Sequence, residues 1–289
     1  MPTLKEIKGR ISSVRSTLKI TSAMKLVSSA KLRKAQNAIA AMRPYQEALE
    51  SMLAAVEIPG QAGNDVMPGT LVMPGTDRAS QPRVIVAIAS NSSLCGGFNS
   101  NVIAKVRSVR KSGDIVYSIG RKMADAMSKD GFPSPEDLSA LAEHPSYAAA
   151  ASLVEKLSQD LDAGRIGSVT LVYTHFVSSA RQVPVVENLL PFVLQSEKIG
   201  QDPSQSDVII EPSASELQAV LIPKTLKLKL FAAILDSAAA EHAARTVAMQ
   251  TATDNGNQLL EELTLQYNKG RQQKITNEIL DLAGGQAAQ

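Results

Sequence analysis

Hydrophobic positions recur every seven residues through the C-terminal part of the chain, and proline is absent from Lys224 onward. The repeat contains Leu228, Leu235, His242, Met249, Gly256 and Leu263, and a second repeat three residues later contains Phe231, Ala238, Arg245, Ala252 and Leu259. Two such repeats form a seam typical of a helix that packs against a partner helix. We predict a helix from about Ser213 to Leu282, about 100 Å long at 1.5 Å per residue. Such a helix needs a partner, because only burial of its seam offsets the entropy lost on ordering.

The N-terminal stretch has the pattern of that partner. Its apolar residues are spaced three and four apart at Leu4, Ile7, Ile11, Val14 and Leu18. The apolar pattern continues through Met24, Val27 and Ala30, on a face that shifts gradually around the helix. This spacing predicts a helix over residues 3–43. Arg43-Pro44 predicts a break or kink, with the helical pattern resuming over Tyr45–Val56. An antiparallel pair of the two terminal helices is the most economical arrangement.

The middle of the chain has a different pattern, in which short apolar runs alternate with amphipathic stretches. The runs predict strands at Val84–Ala89, Ile115–Ile119, Val169–Phe176, Val183–Val186 and Val208–Ile210. The stretches predict helices at residues 99–111, Arg121–Lys129 and Tyr147–Leu161. This alternation is typical of a mostly parallel, Rossmann-like α/β domain. The predicted fold class is therefore α/β, with a long antiparallel coiled coil of the terminal helices. The predicted domains are residues 1–58, a flexible loop at 59–82, the α/β domain at 83–212 and the C-terminal helix at 213–289.

Charge is distributed unevenly along the chain. The net charge is +2, yet residues 1–45 contain ten Lys or Arg and the single acid Glu6, which gives +9. A solvated helix face, binding to nucleic acid and docking to an acidic protein surface all fit this charge. The single cysteine, Cys95, excludes an intrachain disulfide framework, and no apolar run reaches the roughly 18 residues that span a bilayer.

The sequence offers no recognisable catalytic centre. Neither G-x-G-x-x-G after a strand nor G-x-x-x-x-G-K-[ST] occurs, so the phosphate-binding fingerprints of nucleotide enzymes are absent. The turn Ser90–Gly97 is either an anion-binding turn or a tight connection between strand and helix, and the missing fingerprint favours the connection. Cys95, His144, His175 and His242 lie on separate elements without metal-ligand spacing. No metal or cofactor is expected.

Three motifs resemble one known family along essentially the whole chain. IKGRISSVRSTLKITSAMKLVSSAKLRKAQ (Ile7–Gln36) is similar to the N-terminal signature of the γ subunit of F-type ATP synthases. Residues Glu241–Gly285 resemble its C-terminal signature, and Leu94–Asn99 (LCGGFN) resembles its central motif. The N-terminal segment is rich in Arg and Ser and poor in acids, which is also typical of an organelle transit peptide. In that family, however, a basic N-terminal helix is part of the mature protein, so the resemblance favours a mature helix over a transit peptide.

The resemblance implies a non-catalytic rotor, the central stalk subunit that couples ion flow to ATP synthesis or hydrolysis. The implied partners are the hexameric ring of α and β subunits, the ε subunit and the membrane ring of c subunits, without nucleic acid. The expected location is peripheral, on the cytoplasmic face of the bacterial inner membrane. Two other functions remain open at this stage, a basic coiled-coil adaptor that binds nucleic acid and a nucleotide-using α/β enzyme.

The resemblance also assigns roles to individual residues. Met24 and Lys25 match a Met-Lys pair of the family that faces an acidic loop of the catalytic subunits. Arg271 and Gln272 match an Arg-Gln pair that hydrogen-bonds another loop of the ring. Positions associated with coupling are matched by Arg245, Thr276 and Glu278. Gly270 replaces a common alanine and is expected to weaken the helix locally by about 1 kcal/mol.

Overall fold

A computed structural model describes residues 3–56, 81–192 and 213–286 of the chain. The chain divides into two compact units, a helical unit of Met1–Ser29 with Arg245–Gln289 and a central unit of Ala30–Ala244. The helices are α1 (Leu4–Val56), α2 (Phe98–Val109), α3 (Arg121–Lys129), α4 (Ser139–Glu143), α5 (Tyr147–Asp162) and α6 (Ala214–Gln286). The strands are β1 (Arg83–Ile88), β2 (Ile115–Ile119), β3 (Ser168–Phe176) and β4 (Gln182–Leu190).

The central unit contains a four-stranded sheet in the order β2-β1-β3-β4. Strand β1 is parallel to both β2 and β3, while β4 is antiparallel to β3. This is the α/β domain that the alternating pattern predicted, with one antiparallel edge strand. The predicted strand Val208–Ile210 and most of the predicted loop 59–82 lie outside the described residues.

Alternate residues of β1 point into two separate cores, which is why the strand reads as a continuous apolar run. Ile85 and Ala87 pack with α2 and α3 on one face of the sheet. Val84, Val86 and Ile88 pack on the other face, where α5 and the parts of α1 and α6 that belong to the central unit also contribute. The two cores lie on opposite faces of one sheet, as in a doubly wound α/β domain.

A glycine fixes the connection between β2 and α3. Gly120 has φ +100, and a Cβ atom there would lie 2.2 Å from the carbonyl oxygen of Ala89. Glycine is required on both counts, since other residues avoid this φ and any side chain would collide with backbone. The close approach holds the ends of β1 and β2 together, where the Ala89 amide also donates to the Ile119 carbonyl at 2.9 Å.

Of the predicted break or kink at Pro44, the break does not occur, because α1 continues through this residue to Val56, and the kink stays a prediction. A proline inside a helix costs about 3 kcal/mol. Leu49 and Leu53, which follow it, are 4% and 1% exposed in the core of the central unit. Burying a leucine stabilises by about 1.5–3 kcal/mol, so these two side chains offset the cost of continuing the helix. Local propensity is overruled by packing at this point.

Candidate functional site

The helical unit is an antiparallel pair, and four cross-helix contacts define its register. Leu4 lies against Gly270 and Leu18 lies against Gly256. Fourteen residues along α1 therefore correspond to fourteen residues back along α6, which is two heptads on each helix. The side chains of Thr21 with Thr253 and of Lys25 with Gln250 continue the same register through hydrogen bonds. The predicted antiparallel pairing of the two ends is confirmed.

On α1, the face turned towards α6 keeps the heptad spacing even where the sequence becomes polar. The buried or half-buried positions at this spacing are Leu4, Ile7, Ile11, Val14, Leu18, Thr21, Lys25 and Ser28, and the predicted Met24 is also half-buried. The predicted continuation through Val27 and Ala30 is wrong, because both side chains are exposed. The physical reason is that Thr21 and Lys25 have hydrogen-bonding partners on α6, so the seam accommodates polar groups without a shift to the nearest apolar residues.

On α6, the second predicted repeat is correct at Arg245, which is buried, and has the wrong phase after it. Ala252 and Leu259 are exposed, while Thr253 and Leu260, one residue later, are half-buried. The first repeat is correct, since Met249 and Leu263 are each 5% exposed. An interval of four residues after Met249, instead of three, keeps the seam facing α1. Hydrophobicity alone favoured Ala252 over Thr253 and missed the Thr253–Thr21 contact of 3.1 Å.

Gly256 gives the helices room to approach each other. A Cβ atom on this residue would lie 2.7 Å from Cδ2 of Leu18, closer than side-chain atoms pack. At Gly270 the corresponding distance to Cδ2 of Leu4 is 3.1 Å. The leucines of α1 therefore fill spaces that the missing side chains leave on α6, and this complementarity fixes the register along the pair.

The predicted contact residues lie in two groups. Met24 and Lys25 are half-buried on α1, and the Lys25 ammonium donates to Oε1 of Gln250. Arg245 lies on α6 and is 8% exposed, so it is a buried residue. None of these three side chains projects freely from the described chain. Gln250 and Asp254, which follow on α6, were missed by sequence reasoning because no motif singled them out.

The second group lies where α6 extends beyond the start of α1. Every residue from 271 to 280 is exposed, because the last described contact with α1 is that of Gly270 with Leu4. Arg271, Gln272, Thr276 and Glu278 belong to this stretch. The Thr276 hydroxyl donates to the Gln272 carbonyl at 3.0 Å, and Glu278 lies 3.6 Å from the Lys274 ammonium. Both contacts stay within α6, so the outward faces of Arg271 and Gln272 remain available for a partner.

Positive charge covers α1 in the helical unit. Between residues 3 and 29 the basic side chains are Lys5, Lys8, Arg10, Arg15, Lys19 and Lys25, against Glu6 alone. All but Lys25 are exposed. Residues 245–280 of α6 contain four basic and four acidic side chains, so the electrostatic field of the unit comes from α1.

The turn Ser90–Gly97 in the central unit is organised by its own hydrogen bonds. Asn99 accepts from the Ser90 amide at 3.1 Å and donates to the Cys95 sulfur at 3.2 Å. The Ser90 hydroxyl lies 2.6 Å from the Ser92 carbonyl oxygen, and Cys95 is buried. These bonds use the polar groups of the turn for a strand-to-helix connection, the alternative that the missing fingerprint favoured. Within the described ranges, no group of three or more His, Cys, Asp or Glu residues could hold a metal ion.

No described helix is both long enough and apolar enough to cross a membrane.

Comparison with known proteins gives one family. The family model described as ATP synthase matches residues 3–288. The ATP synthase gamma chain of Phocaeicola vulgatus is 46% identical over 296 residues, covering 100% of both chains. Those of Bacteroides fragilis strain YCH46 and Flavobacterium johnsoniae are 45% identical over 300 residues and 41% identical over 295 residues, with coverage of 99% or more of each chain.

Solved structures share the fold. A chain of the rotor of the Euglena gracilis mitochondrial ATP synthase has a TM-score of 0.64 at 19% identity, covering 94% of this chain and 98% of that chain. A chain of the same enzyme in another rotational state has a TM-score of 0.66, covering 99% and 94%. The chain belongs to the ATP synthase gamma chain family, the non-catalytic central stalk subunits of that enzyme.

Proposed function

We propose that the chain is the rotor of a bacterial ATP synthase and couples ion flow through a membrane ring of c subunits to ATP synthesis or hydrolysis in a ring of α and β subunits. The observation that carries this proposal is the helix pair of fixed register, whose α6 end exposes ten consecutive residues beyond Gly270. Such a pair can enter a ring and present different faces to its subunits. The catalytic sites belong to the ring, and the chain itself performs no chemistry.

Torque requires that the two helices do not slide past each other. A slip of one residue rotates every side chain by about 100° around the helix axis, since an α-helix has 3.6 residues per turn. Leu18 would then leave the space over Gly256, and the Thr21–Thr253 hydrogen bond would break. The seam therefore resists slippage at several points at once, which supports a role in transmitting rotation.

The predicted contact residues become parts of this proposal. Arg271 and Gln272 are exposed on the free end of α6, where they would bond to the ring, and Thr276 and Glu278 lie on the same stretch. Lys25, next to Met24, would face an acidic loop of the ring, because the basic face of α1 favours acidic partners. Arg245 is buried, so we assign it a role within the helix pair that affects the ring indirectly.

The central unit would supply further contacts of the rotor. Its α/β domain would contact the ε subunit and the c ring, and the chain would lie peripherally at the cytoplasmic face of the bacterial inner membrane. Nucleic acid is not among the proposed partners, since the basic face of α1 is assigned to the ring.

Purification through an affinity tag on the central unit tests the proposal. Detergent-solubilised membranes that contain the tagged chain should yield the nucleotide-binding subunits, the ε subunit and the c subunits in fixed ratio, with ATPase activity. Membranes with the untagged chain serve as the control. Recovery of the chain alone, or with nucleic acid that is released by salt, would contradict the proposal.

A further inference from the structure

Lys25 is the one lysine on the face of α1 that packs against α6 in the described part of the helical unit. Its ammonium group is half-buried and donates to Oε1 of Gln250 on α6. A lysine on a flexible four-carbon stem normally points its charge into water. Here the cross-helix bond keeps the charge at one place on the surface of the helix pair.

Gln250 is itself held in position by a second bond. Its Nε2 donates to Oδ1 of Asp254 at 2.8 Å, one helical turn further along α6. An amide has one acceptor end and one donor end, and both are used here. The carboxylate of Asp254 therefore orients the amide so that the carbonyl oxygen faces Lys25. Lys25, Gln250 and Asp254 thus form a chain of two hydrogen bonds that links α1 to α6.

The neutral amide of Gln250, the middle residue, determines how these bonds affect the charge of Lys25. A glutamine binds the ammonium group without cancelling its charge, whereas a glutamate would form an ion pair with it. The neighbouring contact between Thr21 and Thr253, at 3.1 Å, is also between uncharged groups. The seam thus fixes the position of the Lys25 charge and leaves it uncompensated by the residue that binds it.

We propose that Gln250 and Asp254 are positioning residues that hold the Lys25 ammonium in place as a full positive charge for an acidic surface of the catalytic ring. This inference rests on the proposed function, because it assigns Lys25 a partner on the ring. It identifies a neutral amide at position 250 as the feature that the rotor needs there.

The test compares two glutamines of α6 that each donate to an acid four residues later. Gln250→Glu keeps a partner for Lys25 but neutralises its charge. The control is Gln258→Glu, since Gln258 also donates to an acid four residues later, Glu262, at 3.4 Å, and its recorded bond stays within α6. In the purified complex, Gln250→Glu should slow ATP turnover about fivefold, as expected for weakening one interfacial hydrogen bond, while Gln258→Glu stays within twofold of the unchanged complex.

If Gln250 had a purely structural role, Gln250→Glu would leave ATP turnover unchanged, because glutamate would bind Lys25 at least as well. The decisive readout is therefore a double-mutant cycle with Lys25→Met. If Gln250 acts through Lys25, Gln250→Glu causes no further loss in the Lys25→Met complex. Unchanged turnover in Gln250→Glu, or an equal loss in both backgrounds, would overturn the inference. Failure of the unchanged chain to copurify with the nucleotide-binding subunits would overturn the proposed function instead, and this is seen before any variant is assayed.

Discussion

Leu18 of α1 covers Gly256 of α6 so closely that a methyl group on the glycine would lie 2.7 Å from the Leu18 Cδ2 atom. The two residues are 238 positions apart in the sequence, and their contact sets the register of the helix pair. A side chain at this position forces the helices apart or displaces the leucine. The glycine is therefore a packing requirement of the pair, despite its cost to the helix that contains it.

The two seam glycines should respond differently to alanine. Alanine gains about 1 kcal/mol of helix propensity at either position. At Gly270 the nearest atom is 3.1 Å away, a small shift of Leu4 accommodates it, and we expect Gly270→Ala to be neutral or stabilising. At Gly256 the overlap with Leu18 costs about 1–3 kcal/mol, so Gly256→Ala should lower the free energy of unfolding. Thermal unfolding of the purified chain measures both, and equal shifts in Tm would contradict this account of the seam.

The register of the pair can be tested by a disulfide. The hydroxyl oxygens of Thr21 and Thr253 are 3.1 Å apart, so the two side chains face each other across the pair, and a small adjustment would bring cysteine sulfurs at these positions to bonding distance. We expect Thr21→Cys with Thr253→Cys to form a cross-link under mild oxidation, seen as a mobility shift that reductant reverses. The control pair is Thr21→Cys with Thr251→Cys, because Thr251 is exposed and its hydroxyl bonds to Val247 of its own helix. Equal cross-linking of both pairs would mean that the register is not fixed.

An ion pair in the central unit should make stability depend on pH. Arg107 donates two hydrogen bonds to Asp130, at 2.7 and 3.0 Å, and they hold the pKa of this carboxyl below its usual value. Because the folded pKa is lowered, the stabilisation is present above the unfolded pKa of about 3.9 and is lost as pH falls through the folded pKa. Asp130→Asn should lower Tm at pH 7, and the difference from the unchanged chain should shrink below about pH 4.

Asp125→Asn is the control for this prediction, since Asp125 lies on α3, the helix that Asp130 directly follows, and is exposed. It should leave Tm nearly unchanged at both pH values. A difference between Asp130→Asn and the unchanged chain that stayed constant down to pH 2 would show that the carboxylate charge is not the stabilising feature.

The free end of α6 should matter for turnover more than for assembly. Arg271→Ala with Gln272→Ala removes one charge and one amide from exposed positions, while the seam that holds α1 and α6 together is untouched. We expect a complex of normal composition whose ATP turnover is reduced at least tenfold, since one charge-assisted bond of roughly 1.5–3 kcal/mol corresponds to about 10- to 150-fold in rate. Composition and turnover are measured on the same preparation.

Lys269→Ala with Gln273→Ala likewise removes one positive charge and one amide from exposed positions outside the predicted contact set. This control complex should turn over ATP at a normal rate. If both double variants were equally slow, the stretch would contribute only general polarity, and the individual roles of Arg271 and Gln272 would be rejected.

Much of the fold could be predicted because burial patterns are local. Strand β2 and helix α3 have the predicted bounds, Ile115–Ile119 and Arg121–Lys129, since each is a short apolar or amphipathic run with clear ends. Helix α4, Ser139–Glu143, was not predicted, because five residues are too few for a helical period to appear.

The seam was predicted less well, for a physical reason. Periodicity reasoning assigns the buried face to apolar residues, so it chose Ala252 and Leu259 over Thr253 and Leu260. Polar side chains can occupy the seam when a partner on the other helix binds them, and that partner is more than two hundred residues away in the sequence. Lys25 was found only through the family resemblance, and its partner Gln250 only in the structure.

Rotation of the chain inside a catalytic ring can be observed directly with a visible probe. Cys95 is the single cysteine and is buried, so Ser108→Cys on the exposed face of α2 supplies an accessible thiol for a visible probe. The complex is immobilised through its ring, and the probe is followed under a microscope while ATP is added. We expect rotation of the probe in one direction, at a rate that rises with ATP concentration and matches the rate of hydrolysis. A probe that stays still while the same immobilised complexes hydrolyse ATP would contradict it.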